Sequence, residues 1–125
     1  MIGLSNTSFY ESNESLDDKY LSNLSPYFLK DEKIFKTFKN LDFFAHFTNK
    51  RIIFTYCPDN PLNPSHFEIE FLPYRSIQRF SLLADDKLLH YSIELTVFDI
   101  PVLNFILPDK STVANLTKAI SELSS

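Results

Sequence analysis

Apolar and polar residues alternate through the middle of this chain, and a period of two is typical of half-buried β-strands. The clearest case is the segment in which Phe67, Ile69 and Phe71 alternate with glutamates. Alternation of this kind predicts seven strands, at 33–39, 41–48, 51–57, 66–72, 77–84, 89–98 and 101–107. Most begin about 8 to 12 residues after the one before, which is typical of an antiparallel sandwich or barrel. No helical segment separates them, so the pattern does not fit a parallel α/β sheet.

A helical period precedes the strands. Leu16, Tyr20 and Leu24 are four residues apart, and they predict a short helix over residues 14–24 that ends before Pro26. A helix of this length is marginal by itself and needs a surface to pack against. We favour a helix that packs on the flank of the domain over one that binds a partner.

A second helical period follows Pro108. Its apolar positions are Val113, Leu116, Ile120 and Leu123. These four residues share one face of a helix predicted over residues 110–123. We expect this helix to close the open end of the sheet, and the predicted fold class is therefore mainly β with α (α+β).

The first 13 residues are rich in serine and asparagine, and we predict a flexible N-terminal tail over residues 1–13. Residues 14–125 then form a single domain, in agreement with a total length of 125 residues. Left-handed turn positions need another residue type, because Gly3 is the only glycine. Asparagine and aspartate tolerate a positive φ best among the other residues, so Asn49 is the predicted left-handed residue of one hairpin. Asn40 and the pair 85–86 are placed to serve other turns in the same way.

The composition is that of a globular protein with many aromatic rings, since 44% of the residues are hydrophobic and 13 are Phe. The formal charge of −4 argues against a general nucleic-acid binder. Cys57 is the only cysteine and cannot form an internal disulfide. The chain has no apolar run of about 18 residues, and its start lacks the pattern of a signal peptide. We therefore expect a cytoplasmic location.

Two short motifs carry a family resemblance. Residues 47–53 read FTNKRII and resemble the F-T-N-K-R-hydrophobic signature of the bacterial pleckstrin-homology (PH) domain family. Residues 72–77 read LPYRSI and resemble the family's hydrophobic-P-Y-[RK]-S-I segment. We interpret the motif residues as structural; they are Phe47, Thr48, Asn49, Lys50, Arg51, Pro73, Tyr74, Arg75 and Ser76.

The resemblance implies a seven-stranded antiparallel split barrel closed by a C-terminal helix, with a short helix before the first strand. It also implies ring-like homo-oligomers and a role in binding, with no known enzymatic activity. We expect no cofactor. The chain departs from the family pattern at Cys57–Ser65, where three prolines replace a glycine-containing loop, and in the absence of glycine from the later strands. These departures concern loop geometry more than the fold.

The sequence predicts no catalytic or metal site. His46, His66 and His90 are far apart and lack ligand spacing, so we favour hydrogen-bonded or exposed histidines over a metal site. Cys57 at a strand end is more often a packing residue than a nucleophile. One glycine at position 3 cannot build a phosphate-binding loop.

Local charge is the one functional hint. Residues 33–51 contain five basic residues and one acid, which gives +4 in a chain whose remainder is −8. The candidate patch for an anion or a partner is Lys33, Lys39, Lys50 and Arg51. In PH domains that bind phosphoinositides, basic residues on the first two strands and their loop hold the phosphates. The tight turn predicted near Asn40 leaves little room for a headgroup, so we favour lysines that deter edge pairing and keep the surface solvated.

Three interpretations of this chain therefore stay open. The leading one is a non-enzymatic domain that self-associates by sheet-edge pairing and binds another, unidentified protein. The second is recognition of an anionic ligand or a membrane surface by the basic patch. An intermediate possibility is an oligomer contact between this patch and the acidic N-terminal segment.

Overall fold

A computed structural model of the chain describes residues 8–13, 16, 18–41, 43–56, 68–98 and 100–124. Cys57, the predicted proline-rich connection and His66 lie outside the described residues. The strands are β1 (Ser8–Glu11), β2 (Ile34–Asn40), β3 (Phe43–Thr48), β4 (Arg51–Tyr56), β5 (Glu68–Pro73), β6 (Ile77–Asp85), β7 (His90–Val97) and β8 (Ile100–Leu107). The helices are α1 (Asp18–Leu24) and α2 (Lys110–Ser124), and short 3₁₀ turns cover Ser25–Tyr27 and Tyr74–Ser76.

The described strands form one curled sheet in the order β5-β4-β3-β2-β1-β8-β7-β6. Every neighbouring pair is antiparallel except β1 and β8, which are parallel. All seven predicted strands are present, and their described ends differ from the predicted ends by at most two residues. The prediction of a mainly β fold with a closing C-terminal helix is confirmed.

Strand β1 is the element that the sequence did not predict. Ser8–Glu11 lies within the predicted flexible tail, but it fills the space between β2 and β8. Phe9 is fully buried and its ring stacks on that of Phe105, with 5.2 Å between centroids. Burial of one such ring contributes about 1.5–3 kcal/mol, which favours an ordered strand. The tail prediction is therefore wrong for residues 8–11.

The main core lies on the concave face of the sheet and is rich in phenylalanine. Phe38, Phe47 and Phe105 meet edge to face, with centroids 5.0–5.4 Å apart. Helix α2 covers this face with Val113, Leu116 and Ile120, all of which are buried. The amphipathic pattern that predicted the helix therefore corresponds to its packed face.

A second, smaller core lies on the convex face under α1. Tyr20 and Leu24 of the helix pack on Phe44 and Ile53 of β3 and β4. The helix begins at Asp18 in the described residues, and it packs on the sheet as the sequence favoured. Within the described part of the chain, no helix is long and apolar enough to cross a membrane.

The turn prediction is wrong for Asn49, Asn40 and the 85–86 pair, none of which has a positive φ. Among the described residues, Asp31, Leu41 and Leu89 have a positive φ, and Asp31 agrees with the expectation that aspartate supplies such positions. Leucine in this region costs about 1–2 kcal/mol, which the surrounding strands must offset. Asp85 serves the β6–β7 turn by its side chain instead, because its Oδ1 accepts the N–H of Lys87 (3.0 Å) and of the next residue (3.1 Å). The turn geometry thus places the left-handed position after Asn40 and after the 85–86 pair.

Candidate functional site

Arg51, the last charged residue of the first motif, forms a two-point ion pair with Glu32. Nε lies 3.1 Å from Oε2 and Nη2 lies 3.1 Å from Oε1. The Glu32 side chain is fully buried and that of Arg51 is 15% exposed. The guanidinium also lies 4.0 Å from the ring centroid of Phe71 and donates to the carbonyl oxygen of Tyr27 at 2.6 Å. An external anion would therefore have to compete with a buried carboxylate for Arg51.

The environment of Glu32 favours its ionised form. Burial alone raises the pKa of this carboxyl. The backbone N–H of Leu29, the Thr48 hydroxyl and the Arg51 guanidinium donate to it, and together they hold the pKa below its ordinary value. The donor–acceptor distances to Leu29 and Thr48 are 2.9 and 2.7 Å. Glu32 therefore carries a full negative charge that Arg51 neutralises.

Thr48 organises the β3–β4 hairpin through its hydroxyl. Oγ1 accepts the backbone N–H of Lys50 and of Arg51, each at 3.0 Å. Its single proton is donated to Glu32 Oε2 at 2.7 Å, and the carbonyl oxygen of Arg51 lies slightly farther from Oγ1, at 2.9 Å. The backbone carbonyl of Thr48 accepts the buried hydroxyl of Tyr74 at 2.6 Å. Burial, with the nearby charge of Glu32, raises the pKa of Tyr74 well above its ordinary value, so this hydroxyl stays a donor.

Asn49 connects the hairpin to the segment before β2. Its Oδ1 accepts the N–H of Lys33 at 2.7 Å, and its Nδ2 donates to the carbonyl oxygen of Asp31 at 2.9 Å. These bonds explain why asparagine occupies the turn without a positive φ. The two motifs therefore meet in space and hold the hairpin, the 3₁₀ turn after β5 and the segment before β2 together.

The four residues of the predicted basic patch do not form one cluster. Lys33 and Lys50 are exposed at the hairpin end of β2 and β3. Lys39 lies six residues from Lys33, about 20 Å along an extended strand, with its ammonium 5.5 Å from the ring centroid of Phe44. Arg51 is held by Glu32. Of these four residues, Lys33 and Lys50 are thus exposed at the same end of the sheet.

A groove that sequence reasoning missed lies beside Lys50. Its volume is ≈ 400 Å³, and its lining residues are Leu29, Lys50, Arg51, Pro73, Tyr74, Arg75 and Leu123. Lys50 and Arg75 are exposed, and neither forms an ion pair with another described residue. The first motif contributes Lys50 and Arg51 to this lining, and the second contributes Arg75. The pairing of Arg51 with Pro73 in β4 and β5 brings the two motifs together, and the sequence alone does not show that pairing. We call this cavity the motif groove.

A comparison with protein families identifies the fold family. The sequence model described as "Bacterial PH domain" matches residues 3–124. The chain belongs to the bacterial PH domain family. The resemblance inferred from the two motifs is confirmed.

Solved structures agree with this assignment at the level of the fold. A DUF1696 family protein with a pleckstrin-homology domain from Shewanella loihica PV-4 has 20% identity and a TM-score of 0.63, over 94% of this chain and 98% of that chain. A pleckstrin homology domain from Shewanella amazonensis SB2B has 20% identity and a TM-score of 0.56, over 86% and 96%. A PH domain containing protein from Exiguobacterium sibiricum has 16% identity and a TM-score of 0.57, over 94% and 63%. No curated protein matches the chain.

A second cavity of this PH domain lies beside the β2–β3 turn, where the resemblance suggested a phosphate site. It has a volume of ≈ 460 Å³ and includes Lys39, Asn40 and Leu41 in its lining. Glu11 lines the same cavity, but its Oε1 already forms an ion pair with Lys36 Nζ at 2.9 Å. Lys39 is the one basic residue in the lining, and a single lysine gives this cavity less positive charge than the motif groove has.

His46 is the one buried histidine in the described part of this PH domain. Tyr20 Oη lies 2.8 Å from Nε2, and Thr37 Oγ1 lies 3.0 Å from Nδ1. Burial lowers the pKa of His46 to about 4, so the ring is neutral at neutral pH. This arrangement agrees with a hydrogen-bonded packing histidine that ties α1 to the sheet. No cluster of three metal-ligating side chains occurs among the residues that the structure describes.

Among the described residues, the sheet of this PH domain has an open edge at β6, which pairs with β7 alone. Leu82 and Leu83 are 51% and 50% exposed. Leu82 lies opposite Ile93 on the core face, and Leu83 lies opposite Ser92 on the outer face. Apolar surface is therefore exposed on both faces of an edge strand.

Proposed function

We propose that this bacterial PH domain is a non-enzymatic binding module that self-associates and binds another protein through the edge of its sheet at β6. The observation that carries the proposal is the exposure of Leu82 and Leu83 on an unpaired edge. An edge strand presents N–H and C=O groups that can pair with a strand of another chain. Assembly by this route would bury both leucines and would also provide hydrogen-bond partners for the backbone N–H and C=O groups of the edge.

The sequence of β6 supports pairing because it lacks the usual protection of an edge. The charged residues Arg79 and Asp85 lie near its ends, and residues 80–84 between them are uncharged. Natural edges are commonly blunted by lysine, proline or inward-pointing charge. The exposed Leu88 and Leu89 extend the apolar surface into the adjacent turn.

The non-enzymatic part of the proposal is supported by what the buried polar groups do. Glu32 is neutralised by Arg51, and His46 is enclosed by two hydroxyl groups. Each is engaged in holding the structure rather than aimed into a cavity. We propose a cytoplasmic location for the same module, on the basis of the single cysteine.

The test is a comparison of molar mass by light scattering across micromolar concentrations. We expect a mass above that of the monomer, and we expect Leu83→Lys to shift the mass towards the monomer, because a lysine on the edge opposes pairing. Leu41→Lys is the matched control, since Leu41 is 85% exposed and lies away from β6. A strict monomer at high micromolar concentration, or an equal effect of both variants, would contradict the proposal.

A second candidate is recognition of an anionic ligand or a membrane surface. Its support is the pair of exposed cations, Lys33 and Lys50, at one end of the sheet. The separation of Lys39 and the ion pair of Arg51 weaken it. If the domain binds an anion or a membrane surface, we therefore expect the contact at the end of the molecule that holds the motif groove.

A further inference from the structure

We propose that the motif groove binds a small amphipathic anion, in which a carboxylate or phosphate group is joined to a short hydrocarbon chain. The groove joins two chemistries that such a ligand needs. Lys50 and Arg75 supply positive charge, while Leu29, Pro73 and Leu123 supply apolar surface. Its volume of ≈ 400 Å³ lies in the range that is typical of small-molecule sites.

The two cations are available to a ligand because the other charges in the groove are balanced. Arg51 and Glu32 neutralise one another at 3.1 Å. Lys50 and Arg75 have no ion-pair partner among the described residues, and both are exposed. The groove therefore has a local charge of about +2 in a chain whose net charge is −4. This contrast attracts an anion to one place on the surface.

One feature of the groove lining opposes an anion, and its effect is the smaller one. Leu123 lies in the last turn of α2, where the helix dipole contributes a partial negative charge. A partial charge at a helix end acts more weakly than a full charge in a direct hydrogen bond. Two full positive charges at Lys50 and Arg75 therefore outweigh it.

The apolar side of the groove distinguishes an amphipathic ligand from a simple anion. Leu29 is half exposed and Leu123 is half-buried, so a hydrocarbon chain between them would remove apolar surface from water. The wall behind them is fixed, because Tyr74 donates to the carbonyl of Thr48 and α2 packs on the 3₁₀ turn. A preformed wall reduces the ordering that binding requires.

The experiment is an NMR titration of the full chain, with ¹⁵N labelling, using octanoate and octyl phosphate below their micelle concentrations. We expect saturable shifts confined to the amides around Leu29, Arg75 and Leu123 for at least one of the two anions. Acetate tests the need for the hydrocarbon tail, octanol tests the need for a charge, and octylammonium tests the sign of that charge. Each of the three should bind about tenfold more weakly than the anions or not at all. The stronger anion of the two identifies the headgroup.

The double variant Lys50→Gln/Arg75→Gln tests whether these two cations bind the anionic group of the ligand. We expect about tenfold weaker binding, because two charge-assisted contacts are lost. Lys33→Gln is the control for loss of charge, since it removes one positive charge at the same end without lining the groove. We expect this control to change the affinity less than about twofold, because exposed charges away from the ligand are screened.

Four outcomes would overturn the inference. The first is that neither anion gives a saturable shift, and the second is that octylammonium binds as tightly as the anions. The third is that Lys33→Gln loses as much affinity as the double variant. The fourth is that the chain binds phosphatidylglycerol vesicles but neither soluble anion. The last outcome would favour the membrane-surface candidate instead. A strictly monomeric chain that binds octanoate would support this inference while contradicting self-association, so the two proposals fail separately.

Discussion

Glu32 is the residue on which the motif contacts converge. It accepts hydrogen bonds from Leu29, Thr48 and Arg51, and its side chain is fully buried. The charge of Arg51 therefore acts inside the molecule, whereas its neighbour Lys50 is exposed. Two adjacent basic residues of one motif thus have different tasks.

We predict that Arg51→Met destabilises the domain by about 3–5 kcal/mol, because it leaves the Glu32 carboxylate buried without its partner. Lys50→Met is the matched control and should change stability by about 0.5 kcal/mol or less, since the side chain is exposed. Urea unfolding measures both free energies. Equal effects of the two substitutions would show that the ion pair does not stabilise the fold.

The pH dependence of the same ion pair provides a second readout. The pKa of Glu32 is lower in the folded chain, so the unfolded chain binds more protons near that pKa. Its stabilisation is therefore fully present above the ordinary pKa of 4.5 and is lost as the pH falls through the folded value. Glu32→Gln should reduce the fall in stability over this acidic range.

Sequence patterns could identify Arg51 but not its partner. Glu32 lies between the first helix and β2, where neither period of two nor helical period marks a buried position. The contact joins residues that are 19 positions apart. Arg75 was likewise predicted only as a motif residue, since its proximity to Lys50 depends on the pairing of β4 with β5.

Strand β1 shows the same limit at the scale of an element. The seven longer strands were predictable because each repeats its alternation several times, as β5 does with Ile69 and Phe71. β1 has four residues and a single fully buried side chain, Phe9. Its partner strand β8 lies near the other end of the chain, so local pattern could not identify it. The left-handed turns at Leu41 and Leu89 were also missed, because strand geometry overrode residue preference.

We predict that Phe9→Ala lowers the free energy of unfolding by about 3–5 kcal/mol, as expected for a large ring removed from a core. Tyr10→Ala is the matched control, because Tyr10 is its neighbour on the same strand and is mostly exposed. The control should cost less than about 1 kcal/mol. Denaturant unfolding measures both values, and an unaltered stability in the Phe9 variant would mean that β1 does not contribute to the fold.

The whole molecule combines a closed interior with an open edge. α2 and α1 cover the two faces of the sheet, and β1 joins β2 to β8 in its middle. β5 and β6 end the sheet, and Leu82 and Leu83 are half exposed on β6. The fold and the family can be predicted from the sequence motifs. The exposed apolar surface of β6 can be identified only when the register of β6 with β7 is known.

Hydrogen exchange of the β6 amides at low and high micromolar protein concentration tests edge pairing most directly. Amides of Phe80–Ala84 that point away from β7 should exchange about tenfold more slowly, or slower still, at high concentration, because a second chain would bond them. Amides of β7 are the internal control, since both of its neighbours are already present. Exchange in β6 that is independent of concentration would contradict assembly through this edge.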